Sequence, residues 1–577
     1  MKIIHKHVTP AISKVSKNED KAFCLINRHK DFMIFYESPQ SRYDGFFVNT
    51  PIGYIKVLAK IFINNPEPEE QIIDSVNSEV TRVYNDFSEK FTLSKSKPSF
   101  SYELSTKKDI SIYLDIRKIF STPQFGRKYE ITAEIHNGLV IKYTDNELTS
   151  GIYIAVHTNN TINKKFSWEE VSYPRDKKNN LAPSSLYEFC LGEINTKNIL
   201  FAYGTTEKEA IKNLENIVKP KLFIFNKKTT INEKPDRDTL LKAGAIACRK
   251  SLDDLTVENG VLAGFPWFTD CWSRDELLAL PALDKNLAKR IINKYLAIEW
   301  VSGKIPVVIG HKELTSDSLG ILCWAILLTK PKFSFAEKTL LKNKLMDAVT
   351  QLEKTENELG LIYSGPNESW MDSIGREGFL IETQAHYANI LHLAHKLTND
   401  KKYNEKRVSL LKNIRKHFLL VGRKKIDKLG ESLARPNIFL AAFFAPELQT
   451  KNEWELSFES YLPHLWLRWG GLSTIDVKSA DFKGTDTKDG YHNGSSWFYI
   501  NNITAIVLED INKNKYKHFI EEIINSSTEE ILWHNFIGKP GEISIASKLD
   551  SWGCGIQAFS ACTYLYYLNR LNIRKKI

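Results

Sequence analysis

The chain has 577 residues, room for more than one domain. Its 42% apolar and 26% charged content is that of a folded globular protein and excludes wholesale disorder. The net charge of +10 comes from lysines scattered along the chain, not from a basic stripe, so no nucleic-acid partner is expected.

The start of the chain, "MKIIHKHVTPAISKVSKNED", lacks the apolar stretch and small-residue cleavage site of a secretory signal. The longest apolar runs, "ILCWAILL" and "IFLAAFFAP", fall far short of the roughly 20 residues a membrane helix needs. A soluble, cytoplasmic protein with no membrane partner is the expectation. Seven widely spaced cysteines form no CxxC pair and no His/Cys ligand spacing. They read as buried thiols, with no metal and no cofactor.

The first 230 or so residues read as strands. "DFMIFYES", "FFVNT", "KYEITAEIHNGLVIKYTD" and "GIYIAVHT" are short runs rich in β-branched and aromatic residues, broken by turn residues such as "HNG". Partial alternation of polar and apolar residues suits an antiparallel β-sandwich over residues 1–234 with its linker. One helix, "TEKEAIKNLENIVK", closes this half before a last strand-like "PKLFIFNKK".

From residue 235 to 577 the period changes to that of helices. "RDTLLKAGAIACRKSLDDLTV", "NLAKRIINKYLAIEWVSG", "SLGILCWAILLT" and "ETQAHYANILHLAHKL" are examples, and about twelve such segments follow one another. No fixed repeat length marks a solenoid. A closed α/α barrel of helical hairpins, an (α/α)6 barrel, is the better fit.

The loops between these helices carry the unusual residues. "AGFPWFTDCWSRDE", "GPNESWMDSIGREGFLIE", "DFKGTDTKDGYHNGSSWF" and "GEISIASKLDSWGCG" combine Trp or Tyr with carboxylates, Arg, Asn or Gly. Loops on a rigid scaffold concentrate binding and catalytic groups. Aromatic faces beside carboxylates suit a sugar, although a polar peptide would use the same chemistry.

These loops have a recognisable order. "AGFPWFTDCWSRDELLALPAL" resembles the opening of the catalytic domain of glycogen-debranching amylo-α-1,6-glucosidases, where the pattern is close to A-G-[FY]-P-W-F-x-x-W-G-R-D. "LTSDSLGILCW", "SWMDSIG", "LIETQAHYANIL", "ARPNIFLAAFFAP", "GLSTI", "DGYHNGSSWFYI" and "GEISIA" with "GCGIQAFS" resemble the family's later segments in sequence. Together they span about residues 236–570. The resemblance implies an (α/α)6 barrel similar to glucoamylases, behind a sandwich of the archaeal and bacterial type. It implies an inverting, exo-acting hydrolase that removes α-1,6-linked glucose stubs from glycogen-like α-glucans. Three departures stand out: Ser273 replaces a Gly, Leu314-Thr315 a Tyr-Asn, and Asn493 a Gln.

Glycoside hydrolysis usually needs two carboxyl groups. By resemblance Asp372 matches the general acid and Glu542 the general base. Taken alone, Asp372 is equally a helix-start cap, and Glu542 an ordinary loop glutamate. Glu377 and Glu382 are the rivals nearest Asp372. The resemblance implies that Glu382 binds sugar or holds the acid loop, while Glu377 has no counterpart. Trp267, Phe268, Trp272 and Trp370 would line a glucose pocket, and Arg274 and Asp275 would grip hydroxyls unless they are only a helix-start pair. Asp317, Arg435, Asn437, His492 and Trp497 are further sugar-binding candidates, His492 being also a candidate structural histidine. Trp552 would close the pocket near Glu542. "GCGIQA" fits a dinucleotide fingerprint in letters but lacks the βαβ context. Other readings stay open: a glucoamylase-like α-1,4-glucosidase on the same fold, and a non-catalytic carbohydrate-binding protein. A homo-oligomer is also open.

Overall fold

The computed structural model describes residues 1–16, 21–64, 67–179, 181–217, 230–419, 426–484 and 488–570. The chain forms two compact units. One comprises Met1–Lys250 with Ile531–Lys539, and the other Ser251–Glu530 with Pro540–Ile577. No disulfide links the cysteines, and all but the half-buried Cys271 are buried. No helix among the described residues is long and apolar enough to cross a membrane.

The first unit is a β-sandwich. A large sheet runs through the long strands Ser99–Leu114 and Ser185–Gly204, and a five-stranded sheet lies over it. Phe23 and Phe46 of the small sheet meet Phe91, Phe100 and Phe201 of the large one, with ring centroids 5.0–6.2 Å apart. The expected hairpin at "HNG" pairs Lys128–Ile135 with Gly138–Thr144, and Asn137 takes the positive φ of 54° that its turn requires. Pairing is mostly antiparallel, but Lys2–His5 lies parallel to Glu70–Asp74, and Ile231–Asn232 parallel to Ala11–Ile12. Two helices among the described residues lie wholly within this unit, α1 (Pro174–Lys178) and α2 (Glu207–Glu215). Thr206 caps α2, whose Ala210 and Leu214 pack on Val140, Ala155 and Ala202 of the sheet. The strand-like segment at 220–228 lies outside the described residues.

Twelve helices follow among the described residues: α3 (Arg237–Leu255), α4 (Ser273–Ala279), α5 (Lys285–Ala297), α6 (Ser318–Thr329), α7 (Phe335–Glu353), α8 (Ile381–Thr398), α9 (Lys401–Ile414), α10 (Asn437–Phe444), α11 (Lys451–Leu465), α12 (Phe498–Asn512), α13 (Lys517–Trp533) and α14 (Ala558–Arg570). The even-numbered ones close a ring. Each packs on the next, α4 on α6, α8, α10, α12 and α14 in turn, and α14 returns to α4. Among the ring helices, α6 and α10 are almost wholly apolar and bury most of their residues. The helices between them are amphipathic: α5 buries Leu287, Ala288, Ile291, Ile292 and Tyr295 on one face. The fold is thus an antiparallel β-sandwich followed by an (α/α)6 barrel.

Candidate active site

The loops singled out in the sequence all run into the N-terminal ends of the ring helices. Short antiparallel pairs pin them. Gly264–Phe265 pairs with Ile556–Gln557, Ile305–Pro306 with Leu314–Thr315, and Ile543–Ser544 lies between Ser496–Trp497 and Ser551–Trp552. Between these ends lies a pocket of about 150 Å³. Phe268, Trp272, Arg274, Asp275, Trp370, Asp372, Trp497 and Glu542 line it together with Tyr491, Tyr499, Gln557 and Phe559. Two carboxyl groups from loops 170 residues apart in sequence therefore share one aromatic chamber.

Its walls are edge-to-face aromatic pairs. Phe268 meets Trp272 at 5.2 Å, and Trp370 meets Trp497 at 5.3 Å and Tyr499 at 5.5 Å. Glu542 is held on every side. Its N–H donates to the Cys554 carbonyl at 3.0 Å, and its own carbonyl accepts from the Phe498 N–H at 3.2 Å. The Tyr491 hydroxyl donates to Oε1 at 2.5 Å, and the Cys554 N–H to Oε2 at 2.8 Å. Gly553 makes the turn between them at φ +77°, and a Cβ there would sit 2.5 Å from Glu542 Oε2. Asp372 instead faces Arg274, whose Nη1 lies 3.5 Å from Oδ2. The Gln557 amide donates to Asp275 Oδ1 at 2.9 Å.

A model of the family described as amylo-alpha-1,6-glucosidase matches residues 247–566. The chain belongs to the amylo-alpha-1,6-glucosidase family. It is accordingly a glycoside hydrolase, with a carbohydrate substrate. No match was found among curated proteins. Among solved structures, a bacterial glucoamylase complexed with acarbose is similar over 97% of this chain and 94% of its own, with TM-score 0.62 and 11% identity. That likeness supports the two-part fold. A GH63 mannosylglycerate hydrolase from Thermus thermophilus, in complex with Tris and D-glycerate, covers 57% of this chain and 100% of its own at TM-score 0.45 and 12% identity.

Five further candidate residues of this glucosidase-family chain do not line the pocket and are hydrogen-bonded behind its walls. Asp317 is buried and accepts from Arg274 Nε at 2.9 Å. Asn437 accepts from Trp370 Nε1 and donates to Asp427, both at 2.7 Å. Arg435 donates to the carbonyls of Thr474 and His492, each at 3.0 Å. His492 stacks flat on Trp497 at 4.9 Å, and its Nδ1 lies 2.7 Å from Ser373 Oγ. Glu382 is buried in a bidentate pair with Arg376, which also binds Asp427 at 2.6 Å. This Arg376–Glu382–Asp427–Asn437 network braces the loop that carries Trp370 and Asp372. Glu377 accepts from the Tyr363 hydroxyl at 3.0 Å, in an exposed position. Trp267 and Trp552 are half-buried and do not line the pocket, although Trp552 meets Tyr491 edge-on at 5.9 Å.

The three departures have structural employment. Ser273 Oγ pairs with Ser318 Oγ at 2.9 Å, Thr315 Oγ1 accepts from the Ser318 N–H at the start of α6, and Asn493 Oδ1 accepts from Arg435. None of the three lines the pocket. Sequence reading missed Tyr491, Tyr499, Gln557 and Phe559, although each sits within a quoted segment. It also missed Arg376 and Asp427.

The carboxyl groups are not ordinary. Burial pushes Glu542 up to about 7 against its two donors, with Asp372 adding to the rise. Burial likewise raises Asp372, while Arg274 opposes and Asp317 reinforces the shift. Asp275 is pushed by burial up to about 8, with Arg274 and Gln557 opposing. Buried carboxyl groups with pKa values raised in this way make the pocket a candidate site for proton transfer.

Proposed function

We propose that this protein is an inverting, exo-acting amylo-α-1,6-glucosidase that releases glucose from α-1,6 branch stubs of glycogen-like α-glucans. The observation that carries the reading is the pairing of Asp372 and Glu542 across one small aromatic pocket. Its 150 Å³ equals the space of about five waters, the scale of one sugar ring, which suits removal of a single terminal glucose. The family match supports the α-1,6 linkage.

Asp372 acts as general acid. It gives its proton to the glycosidic oxygen as the bond from that oxygen to the anomeric carbon breaks. Glu542 acts as general base. It takes a proton from a water that attacks the anomeric carbon from the opposite face, so the configuration inverts. Arg274, Asp275 and Gln557 supply hydrogen bonds to the glucose hydroxyls, and Phe268, Trp272, Trp370 and Trp497 supply apolar faces. Asp317, Glu382, Arg435, Asn437 and His492 hold these groups in place.

The test is glucose release by the purified protein from two substrates side by side. One is a dextrin carrying single α-1,6 glucosyl stubs, the other a linear α-1,4 maltooligosaccharide. Faster release from the stubbed dextrin is expected. Faster release from the linear chain moves the protein to an α-1,4-glucosidase with the same two acids. No release from either rejects the α-glucan assignment.

A further inference from the structure

The loop that bears Glu542 is secured from behind by a second glutamate that does not line the pocket. Glu530 lies near the end of α13 and is buried. The Gly541 N–H, one residue before Glu542, donates to both its oxygens, at 3.0 Å and 3.2 Å. The Ser551 hydroxyl donates to Oε1 at 3.2 Å. Gly541 leads into the strand Ile543–Ser544, and Ser551 opens the strand paired with it. One carboxyl group therefore ties both strands of the hairpin that presents Glu542.

Its place in the chain sharpens the point. Glu530 and Gly541 flank the segment Ile531–Lys539, which belongs to the other compact unit. The Gly538 N–H also donates to the Ile531 carbonyl at 2.8 Å, so the segment is closed at its neck by two successive rungs. The chain re-enters the barrel unit at Pro540, and the next residue, Gly541, is the one that Glu530 holds.

We propose that Glu530 is a positioning residue for Glu542: by accepting from Gly541 and Ser551 it fixes where the catalytic carboxylate sits in the pocket. This rests on the reading of Glu542 as the general base. Glu530 touches neither sugar nor reacting atoms. The set of donors explains why a glutamate is needed, since its two oxygens accept from two strands at once, whereas a shorter or apolar side chain would leave the buried Gly541 N–H without its acceptor. Burial pushes Glu530 up to about 8 against its Gly541 and Ser551 donors.

The experiment compares wild type, Glu530→Val and Glu530→Gln by two readouts. The first is kcat and KM for glucose release. The Val variant is expected to lose about 100-fold in kcat with KM nearly unchanged, the scale of a misplacement of about 1 Å. The Gln variant, which keeps an acceptor oxygen, is expected to recover most of that loss. The second is hydrogen exchange at the Cys554 amide, whose acceptor is Glu542 Oε2. It is expected to quicken in the Val variant and to return toward wild type in the Gln variant. An active Val variant with unchanged kcat overturns the proposal, and so does a parallel loss of kcat, KM and folded fraction that Gln does not recover. If the wild type releases no sugar, the base reading fails by itself. Cys554 exchange still decides whether Glu530 holds the Glu542 side chain, because unchanged exchange in the Val variant overturns the clasp.

Discussion

Replacing Tyr491 by Phe removes one oxygen atom and nothing else from the pocket. The ring contacts with His492, Trp497 and Trp552 remain, at centroid distances of 4.7, 4.8 and 5.9 Å, so the wall stays packed. What is lost is the 2.5 Å hydrogen bond to Glu542 Oε1. Burial and the neighbouring carboxylate keep the Tyr491 hydroxyl protonated, with its pKa far above the usual phenol range, so it donates throughout the working pH range. A donor stabilises the charged form of Glu542, hence its removal raises the pKa of the base. A hydrogen bond to a charged group is worth about 1.5–3 kcal/mol, and about 1.4 kcal/mol corresponds to one pH unit. The acidic limb of the kcat/KM profile, set near 7 by Glu542, should therefore move up by about one to two pH units. Below that limb the variant should be about 10- to 100-fold slower, with the gap closing as pH rises. The assay is a pH–rate profile of glucose release, with thermal unfolding as the check on folding. An acidic limb that stays where it is, or moves down, refutes the assignment of Glu542 as the group that must lose its proton.

Asp372→Asn and Glu542→Gln should each lower kcat by about 10²–10⁴-fold while unfolding at the wild-type temperature, and near-normal activity in either strikes that residue from the mechanism. Proton NMR of the first-formed product should show β-glucose, and α-glucose appearing before mutarotation would refute inversion. Gly553→Ala forces a side chain into a φ of +77° and against Glu542 Oε2, so it should cost about 1–3 kcal/mol by denaturant unfolding and at least about tenfold in kcat. Asp275→Asn should flatten the pH dependence of stability. The folded-state pKa of Asp275 is raised to about 8, so its contribution is fully present below the unfolded value near 4 and is lost as pH rises toward 8. The wild type should lose up to about 1.4 kcal/mol per pH unit relative to the variant across that window, measured by unfolding at pH 5 and pH 7.5, and parallel profiles would show that Asp275 is charged in the folded protein.

The barrel was legible because its signal is local. Helical spacing of apolar residues is read within a dozen positions, and α6 and α13 begin and end at the residues the pattern marks. Pro463 near the end of α11 does not interrupt that helix, which runs to Leu465. Pairing partners are non-local, so the parallel pair of Lys2–His5 with Glu70–Asp74 left no trace in either segment. The pocket was legible by loop and for eight of its twelve lining side chains. "DGYHNGSSWFYI" drew attention to His492 and to Trp497, which does line the pocket, but not to Tyr491, which reaches Glu542, or Tyr499, which completes the wall. Whether a polar residue faces the cavity or stands behind it depends on side-chain direction at the mouth of a helix, which the spacing of letters does not carry. Arg376, Asp427 and Glu530 look like surface charges in sequence for the same reason. Only the fold buries them against one another or against backbone donors.

The proposed division of labour between Asp372 and Glu542 rests on how the surrounding charges are shared. Burial raises the pKa of both carboxyl groups and Asp372 adds to the rise of Glu542, so the pair tends to retain a proton near neutrality. Its location is decided by what each anion would find. An ionised Glu542 keeps two good donors, the Tyr491 hydroxyl and the Cys554 N–H, at 2.5 and 2.8 Å. An ionised Asp372 would rely on Arg274, but that guanidinium already donates to Asp317 at 2.9 Å and stands 3.5 Å from Asp372. Asp317 thereby takes much of the only cation that faces the acid among the described residues, and it adds its own negative charge to the raising of Asp372. The geometry favours the proton on Asp372 and the charge on Glu542, the arrangement an inverting hydrolase needs before the sugar binds. Asp317→Asn tests this directly. Freed from its partner, Arg274 should turn to Asp372 and lower its pKa, so the basic limb of the pH–rate profile should fall while the acidic limb set by Glu542 stays in place. A basic limb that does not move would show that Asp317 has no part in keeping the acid protonated.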